Sequence, residues 1–139
     1  MDSKNMIGIE IKAITNRMVR RLKGAASELS TQKHTIVYLY EHRSEGDLFQ
    51  RDIERFFSIQ SPTATRMLDY MESGGLIRRE SVEYDGRLKK ITLTQKGVDL
   101  YNDIFYEINR VEEQMTRGLT EEEKSEFLRI ARKIRHNLE

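Results

Sequence analysis

The chain has 139 residues, 37% hydrophobic and 34% charged, and its 24 Lys and Arg against 23 Asp and Glu leave a net charge of +1. That length supports one domain around a modest core and excludes large multilayered architectures; near-neutrality means that any attraction to nucleic acid comes from local clusters. Cysteine is absent, which removes disulfides, Cys-ligated zinc and thiol chemistry.

No apolar stretch exceeds Ile36 to Tyr40, far below the ~20 residues that span a bilayer. Met1 to Gly8 has no run of signal-peptide character. A soluble, cytoplasmic protein with no membrane partner is the expectation.

In chain order, Ile7, Ile11, Ile14, Met18 and Leu22 recur at steps of four, three, four and four, one apolar stripe on a helix that Gly24 stops. From Lys12 to Lys23 every charged residue is basic, which suits either an anion-binding surface or a solvated face. A second helix starts at Ser30 or Thr31, both good N-caps, and carries Ile36, Val37, Leu39 and Tyr40 to about His42. Gln50 to Phe57 forms a short third helix with Ile53, Phe56 and Phe57 turned inward, and a turn follows at Ser58 to Ser61. Ser61-Pro62 then reads as a helix start, the Ser hydroxyl capping and proline at the first helical position, with Gly74-Gly75 as its end. Ala64, Met67, Leu68 and Met71 make its buried stripe; Pro62, Arg66 and Asp69, flanked by Thr63, Thr65 and Tyr70, lie outside.

From Leu76 the period changes to that of a strand. Leu76-Ile77 and Ile91-Thr92-Leu93 are the ends of a hairpin whose tip runs from Glu83 to Arg87, with Asp85-Gly86 as the turn signal. Thr94 caps a long helix with the stripe Val98, Tyr101, Phe105, Ile108, Val111 and Met115, closed by Gly118. Thr120-Glu121-Glu122-Glu123 opens the last helix as a capping box, and its trailing basic residues complement the helix dipole.

Short helix, tight turn, capped helix and basic hairpin is the order of a winged helix-turn-helix, a mainly α (α+β) fold. The second helix of such a unit fits the major groove, and a basic hairpin reaches the neighbouring minor groove. Between Arg78 and Lys90 five basic residues face three acidic ones, a weak positive excess. Arg66 has a competing role as a partner of Asp69 one turn on, and Arg87 as a freely exposed hairpin tip.

Asp85-Gly86-Arg87 with Lys89, Ile91, Leu93-Thr94 and Gly97 is similar to the wing pattern Asp-x-Arg-x-x-x-Val-x-Leu-Thr-x-x-Gly of the MarR family of transcriptional regulators, with Ile for Val. Ser61-Pro62-Thr63-Ala64-Thr65-Arg66, Leu68, Met71-Glu72 and Gly75-Leu76-Ile77 resemble that family's recognition helix and exit. The resemblance runs over nearly the whole chain and departs at two positions. Phe49 stands where a Thr often precedes the third helix, leaving Asp47 or nothing as the cap, and Gly74 stands where a basic residue is common.

The resemblance implies a homodimer in which an N-terminal helix (1–29) and C-terminal helices (94–139) interleave as a dimerisation domain beside a DNA-binding unit (30–93). The apolar stripes at both ends independently call for a partner surface. Double-stranded DNA with a pseudo-palindromic operator is the implied partner, repression the implied outcome. Ser61, Pro62, Thr63, Thr65, Arg66, Arg87, Lys89 and Lys90 are the candidate contacts. Small phenolic or other aromatic anions are effectors of many relatives. The resemblance places Met18, His34 and Tyr38 near such a cleft, with Arg17 or Arg21 supplying charge; ordinary core and interface roles compete.

No cofactor, metal or catalytic constellation is expected: His34, His42 and His136 lack ligand spacing, and no phosphate loop or nucleophile motif occurs. A winged-helix protein-interaction module is the alternative to a DNA reader.

Overall fold

The computed structural model describes residues 2–27 and 30–139, so the domain boundary drawn at residue 29 falls outside them. Six helices and one hairpin follow in the order α1 (Ile7–Arg21), α2 (Thr31–His42), α3 (Gln50–Phe57), α4 (Ser61–Ser73), β1 (Ile77–Val82), β2 (Asp85–Leu93), α5 (Gln95–Met115) and α6 (Glu121–Asn137), with single 3-10 turns at Ser3–Asn5 and Gly24–Ala26. Among the described residues no helix is long and apolar enough to cross a membrane.

Local chemistry sets most of these boundaries. Ser30, Thr94 and Thr120 each accept from the backbone N–H three residues on, at 3.4, 3.2 and 3.1 Å, and Glu123 completes the box on the Thr120 N–H at 2.9 Å. Asp47 is not the cap of α3. That position falls to Phe49, which has no acceptor to offer, and Asp52 works from inside the helix by accepting the Phe49 N–H at 2.8 Å.

The core lies where α2, α3, α4, the hairpin and the first half of α5 converge: Ile36, Leu39, Ile53, Leu68, Met71, Ile77, Ile91, Tyr101 and Ile104 are all buried. Two expectations shift. Phe56 is 42% exposed because α3 is only eight residues long and Ile53 alone reaches the centre of the core. On α5 it is Ile104, not Phe105, that packs inward; Phe105 stacks on Tyr101 at 5.5 Å near the surface.

The exit of α4 and the start of α5 are locked together. Thr94 N–H donates to the Leu76 carbonyl at 3.1 Å, the Thr94 hydroxyl to Gly75 at 2.5 Å, and Lys96 Nζ to Gly74 at 2.8 Å. Gly97 sits beneath this junction so closely that a Cβ would lie 2.3 Å from the Leu76 carbonyl oxygen and 2.9 Å from Leu93. The obstacle is backbone, which cannot swing aside. Gly97→Ala is therefore expected to lower stability by about 1–3 kcal/mol, read as an earlier urea midpoint with the same slope; an unchanged midpoint would contradict this packing.

Candidate nucleic-acid interface

α3 and α4 are joined by Ser58, Ile59 and Gln60. Ser58 adopts φ 54°, the left-handed conformation that ends α3, and Ile59 N–H closes the turn on the Glu54 carbonyl at 3.1 Å. The N-cap of α4 is Gln60 rather than Ser61, so Pro62 is the second helical residue and the Ser61 hydroxyl does not cap. Instead it accepts, together with Thr65, from the side-chain amide of Gln50 on α3.

Ala64, Leu68 and Met71 hold α4 to the core, and Ser61, Pro62, Thr63, Thr65 and Arg66 all lie on its exposed side. At its end Gly75 is the left-handed residue, φ 77°, while Gly74 remains helical. Leu76 N–H returns to Met71 and Gly75 N–H to Glu72, both at 3.0 Å, in a Schellman arrangement.

The hairpin turn also differs from its Asp-Gly signal. The loop is Glu83-Tyr84, and Asp85 already pairs with Val82 at the start of β2. The next pair is Ser81 with Lys89, so Gly86, Arg87 and Leu88 bulge out of β2 with no partner residue. Such a bulge re-aims side chains, and here it expels Arg87, whose side chain is 93% exposed. Asp85 braces it, accepting from the Arg87 N–H at 2.9 Å and from Nε at 3.4 Å.

Lys89 and Arg87 line one concavity of about 270 Å³ with Gln50, Arg51 and Arg79, between α3 and the hairpin. Gln50 and Arg51 are absent from the residues singled out in the sequence; their position at the start of α3 was visible, but their approach to the wing depends on tertiary packing. Lys90 is separated from this group. It pairs across the strands with Glu80 and lines a different hollow with Arg43 and Asp47.

Arg79 is engaged in structure. Its guanidinium contacts Asp69 at 2.6 Å and Glu72 at 2.8 Å, and its N–H donates to Glu72 at 3.0 Å, tying β1 to α4. Asp69 is thus a partner of Arg79 rather than of Arg66. Arg66 enters none of the ion pairs among the described residues, which leaves its charge for an external anion.

The candidate effector residues fall in two places. Arg17, Met18 and Arg21 line a groove of about 660 Å³ between α1, α5 and the start of α6, with Arg117, Lys124 and Phe127 opposite. His34 and Tyr38 belong instead to a ring cluster with Phe56 and Phe57, Tyr38 lying 4.7 Å from Phe56 and His34 6.4 Å from Phe57. No group of His, Asp and Glu able to hold a metal occurs among the described residues.

A helix, a turn, a second helix with an exposed polar face and a hairpin carrying an expelled arginine define a winged helix-turn-helix. Residues 29–88 match the model of the MarR family. The transcription regulator MarR from Oenococcus oeni PSU-1 is 33% identical, over 94% of this chain and 99% of that one, with a TM-score of 0.75. Staphylococcus aureus MepR in its DNA-binding conformation is 26% identical, over 96% and 99% of the two chains, at 0.84; the MepR–DNA complex gives 26%, 99%, 100% and 0.79. The chain belongs to the MarR family of transcriptional regulators.

The Arg79 brace makes a pH prediction. Hydrogen bonds from Arg79 hold the Glu72 carboxyl below its ordinary 4.5. A depressed folded value stabilises fully above the unfolded value and is lost as pH falls through the folded one. Below about pH 4.5 wild type is expected to lose stability more steeply than Glu72→Gln in urea titrations; parallel acid limbs would show that the pair contributes nothing.

Proposed function

We propose that the protein is not an enzyme but a sequence-specific binder of double-stranded DNA, acting as a homodimer on a pseudo-palindromic operator and repressing transcription by occupancy. The observation that carries this reading is the arrangement of α4 and the wing. The exposed face of α4, with Thr63, Thr65 and Arg66, lies in the same lobe as a bulge that expels Arg87. An α-helix with short polar side chains suits the major groove, and an extended arginine the narrow minor groove.

In this reading Ser61, Pro62, Thr63, Thr65 and Arg66 serve the major groove and its phosphates, Arg87 the minor groove, and Lys89 the backbone beside it. Lys90, on the other side of the strand, is left a peripheral phosphate contact. The dimer follows from α1 and the C-terminal helices, whose apolar residues the chain leaves uncovered. Two-fold symmetry then demands two half-sites one helical turn, or a multiple of it, apart.

For an effector, the Arg17, Met18 and Arg21 groove offers cations beside apolar surface, suited to a small aromatic anion. To act, it must bind the DNA-incompetent arrangement more tightly, since equal affinity shifts nothing.

The test is selection of bound duplexes from a random pool at moderate salt, because phosphate contacts alone are indifferent to sequence. Wild type is expected to enrich a two-fold-symmetric site. Arg87→Ala is expected to bind that site roughly tenfold or more weakly with its fold intact, as the side chain is 93% exposed and bonds only Asp85 among the described residues. A folded dimer that enriches no motif would instead favour a protein-interaction module.

A further inference from the structure

The side chain of Gln50, the first residue of α3, reaches across to α4. Its amide nitrogen lies 2.9 Å from the Thr65 hydroxyl oxygen and 3.4 Å from both the carbonyl and the hydroxyl oxygens of Ser61. The carbonyl fixes which way the amide faces. A carbonyl oxygen only accepts, so the group turned to it is the NH2 and not the amide oxygen.

Thr65 therefore accepts at its oxygen, and its own hydrogen is left to point elsewhere. Two threonines within helices, Thr15 and Thr35, and Thr116 at the C-cap of α5 behave differently. Thr15, Thr35 and Thr116 each donate to the carbonyl four residues back, at 2.8, 2.7 and 2.9 Å. For Thr65 that carbonyl belongs to Ser61, which Gln50 faces, and no acceptor takes the Thr65 hydrogen among the described residues. The Gln50 amide oxygen likewise receives no donor among them. One donor and one acceptor are thus held together at the N-terminal end of the exposed face of α4, on residues from two different helices.

We propose that Gln50 and Thr65 jointly read an adenine on the major-groove edge, Thr65 donating to N7 and the Gln50 oxygen accepting from the N6 amino group. Adenine presents an acceptor beside a donor there, whereas guanine presents two acceptors and would set its O6 against the Gln50 oxygen. Arg79 and Asp69, bonded to each other, do not compete for this base. Gln50 is then a specificity-determining residue supplied by α3 rather than by the helix in the groove. This assignment rests on the reading of α4 as the groove-entering helix.

The experiment repeats the duplex selection with wild type, Gln50→Ala and Thr65→Val, then rebuilds the selected site with 7-deazaadenine, which lacks the N7 acceptor, at the adenine in question. Wild type is expected to select one A·T pair in each half-site at this contact. Both variants are expected to lose that preference while keeping the rest of the palindrome, which also reports that they are folded. The 7-deaza substitution should weaken wild type about tenfold and leave Thr65→Val no weaker than on the natural site. If Gln50→Ala disturbs the α3–α4 link, the comparison of wild type with Thr65→Val still decides. Unchanged adenine preference in both variants, selection of guanine at that pair, or an equal 7-deaza effect on wild type and Thr65→Val would overturn the proposal. No selected site for wild type would overturn the DNA-reading function itself, a result distinct from these three.

Discussion

Helices α1 and α6 bury no side chain within the chain, and everything distinctive about the architecture follows from that. A helix of 15 or 17 residues is marginal alone in water and takes its stability from a packed face. Here the faces exist but are left largely uncovered: Ile7 is 61% exposed and Phe127 58%. Contiguous apolar surface of this kind marks an interaction site in a soluble protein. A second copy supplies a matching surface by symmetry, which is why the dimer is integral to the proposed function.

The winged lobe is the opposite case, since its core is packed within the chain. Its core draws on α2, α3, α4, the hairpin and the first half of α5, and α5 carries its position to the terminal helices as a rod of 21 residues. The lobe end of that rod is fastened by Thr94, Lys96 and Gly97, and by Tyr101, which bonds Glu41 at 2.5 Å and stacks on Tyr40. At the other end Arg110 bonds the Arg21 carbonyl at 2.5 Å and Glu107 accepts from Lys23 N–H at 3.2 Å. A change where α1 meets α5 is thereby a change in where the lobe sits. In the proposed function this is the physical link between the groove lined by Arg17, Met18 and Arg21 and the spacing of two reading heads.

Much of this was legible in the sequence because it depends on local rules. Caps at Ser30, Thr94 and Thr120, the stripe on α4 and the strand period after Leu76 need only neighbours a few residues away. The Leu-Thr-x-x-Gly pattern was recognisable, but its reason was not, because the contact of Gly97 with the Leu76 carbonyl joins two segments. What escaped is tertiary in origin. Asp85-Gly86 resembles a turn, yet the unpaired bulge from Gly86 to Leu88 moves the loop to Glu83-Tyr84. The choice of Asp69 by Arg79 over Arg66, and the bond from Gln50 to Thr65, are decided by how β1 and α3 lie on α4. The gathering of Arg17, Met18 and Arg21 apart from His34 and Tyr38 has the same cause, since α1 packs on α5 while α2 packs in the lobe.

The central claim is that the uncovered faces of the terminal helices are covered by a second copy, so that two reading heads act on one duplex. Sedimentation equilibrium from nanomolar to micromolar protein, at low and at raised salt, tests it most directly. The account predicts a mass of two chains throughout, insensitive to salt because the contact is apolar rather than ionic. A stable, folded single chain at micromolar concentration would contradict it.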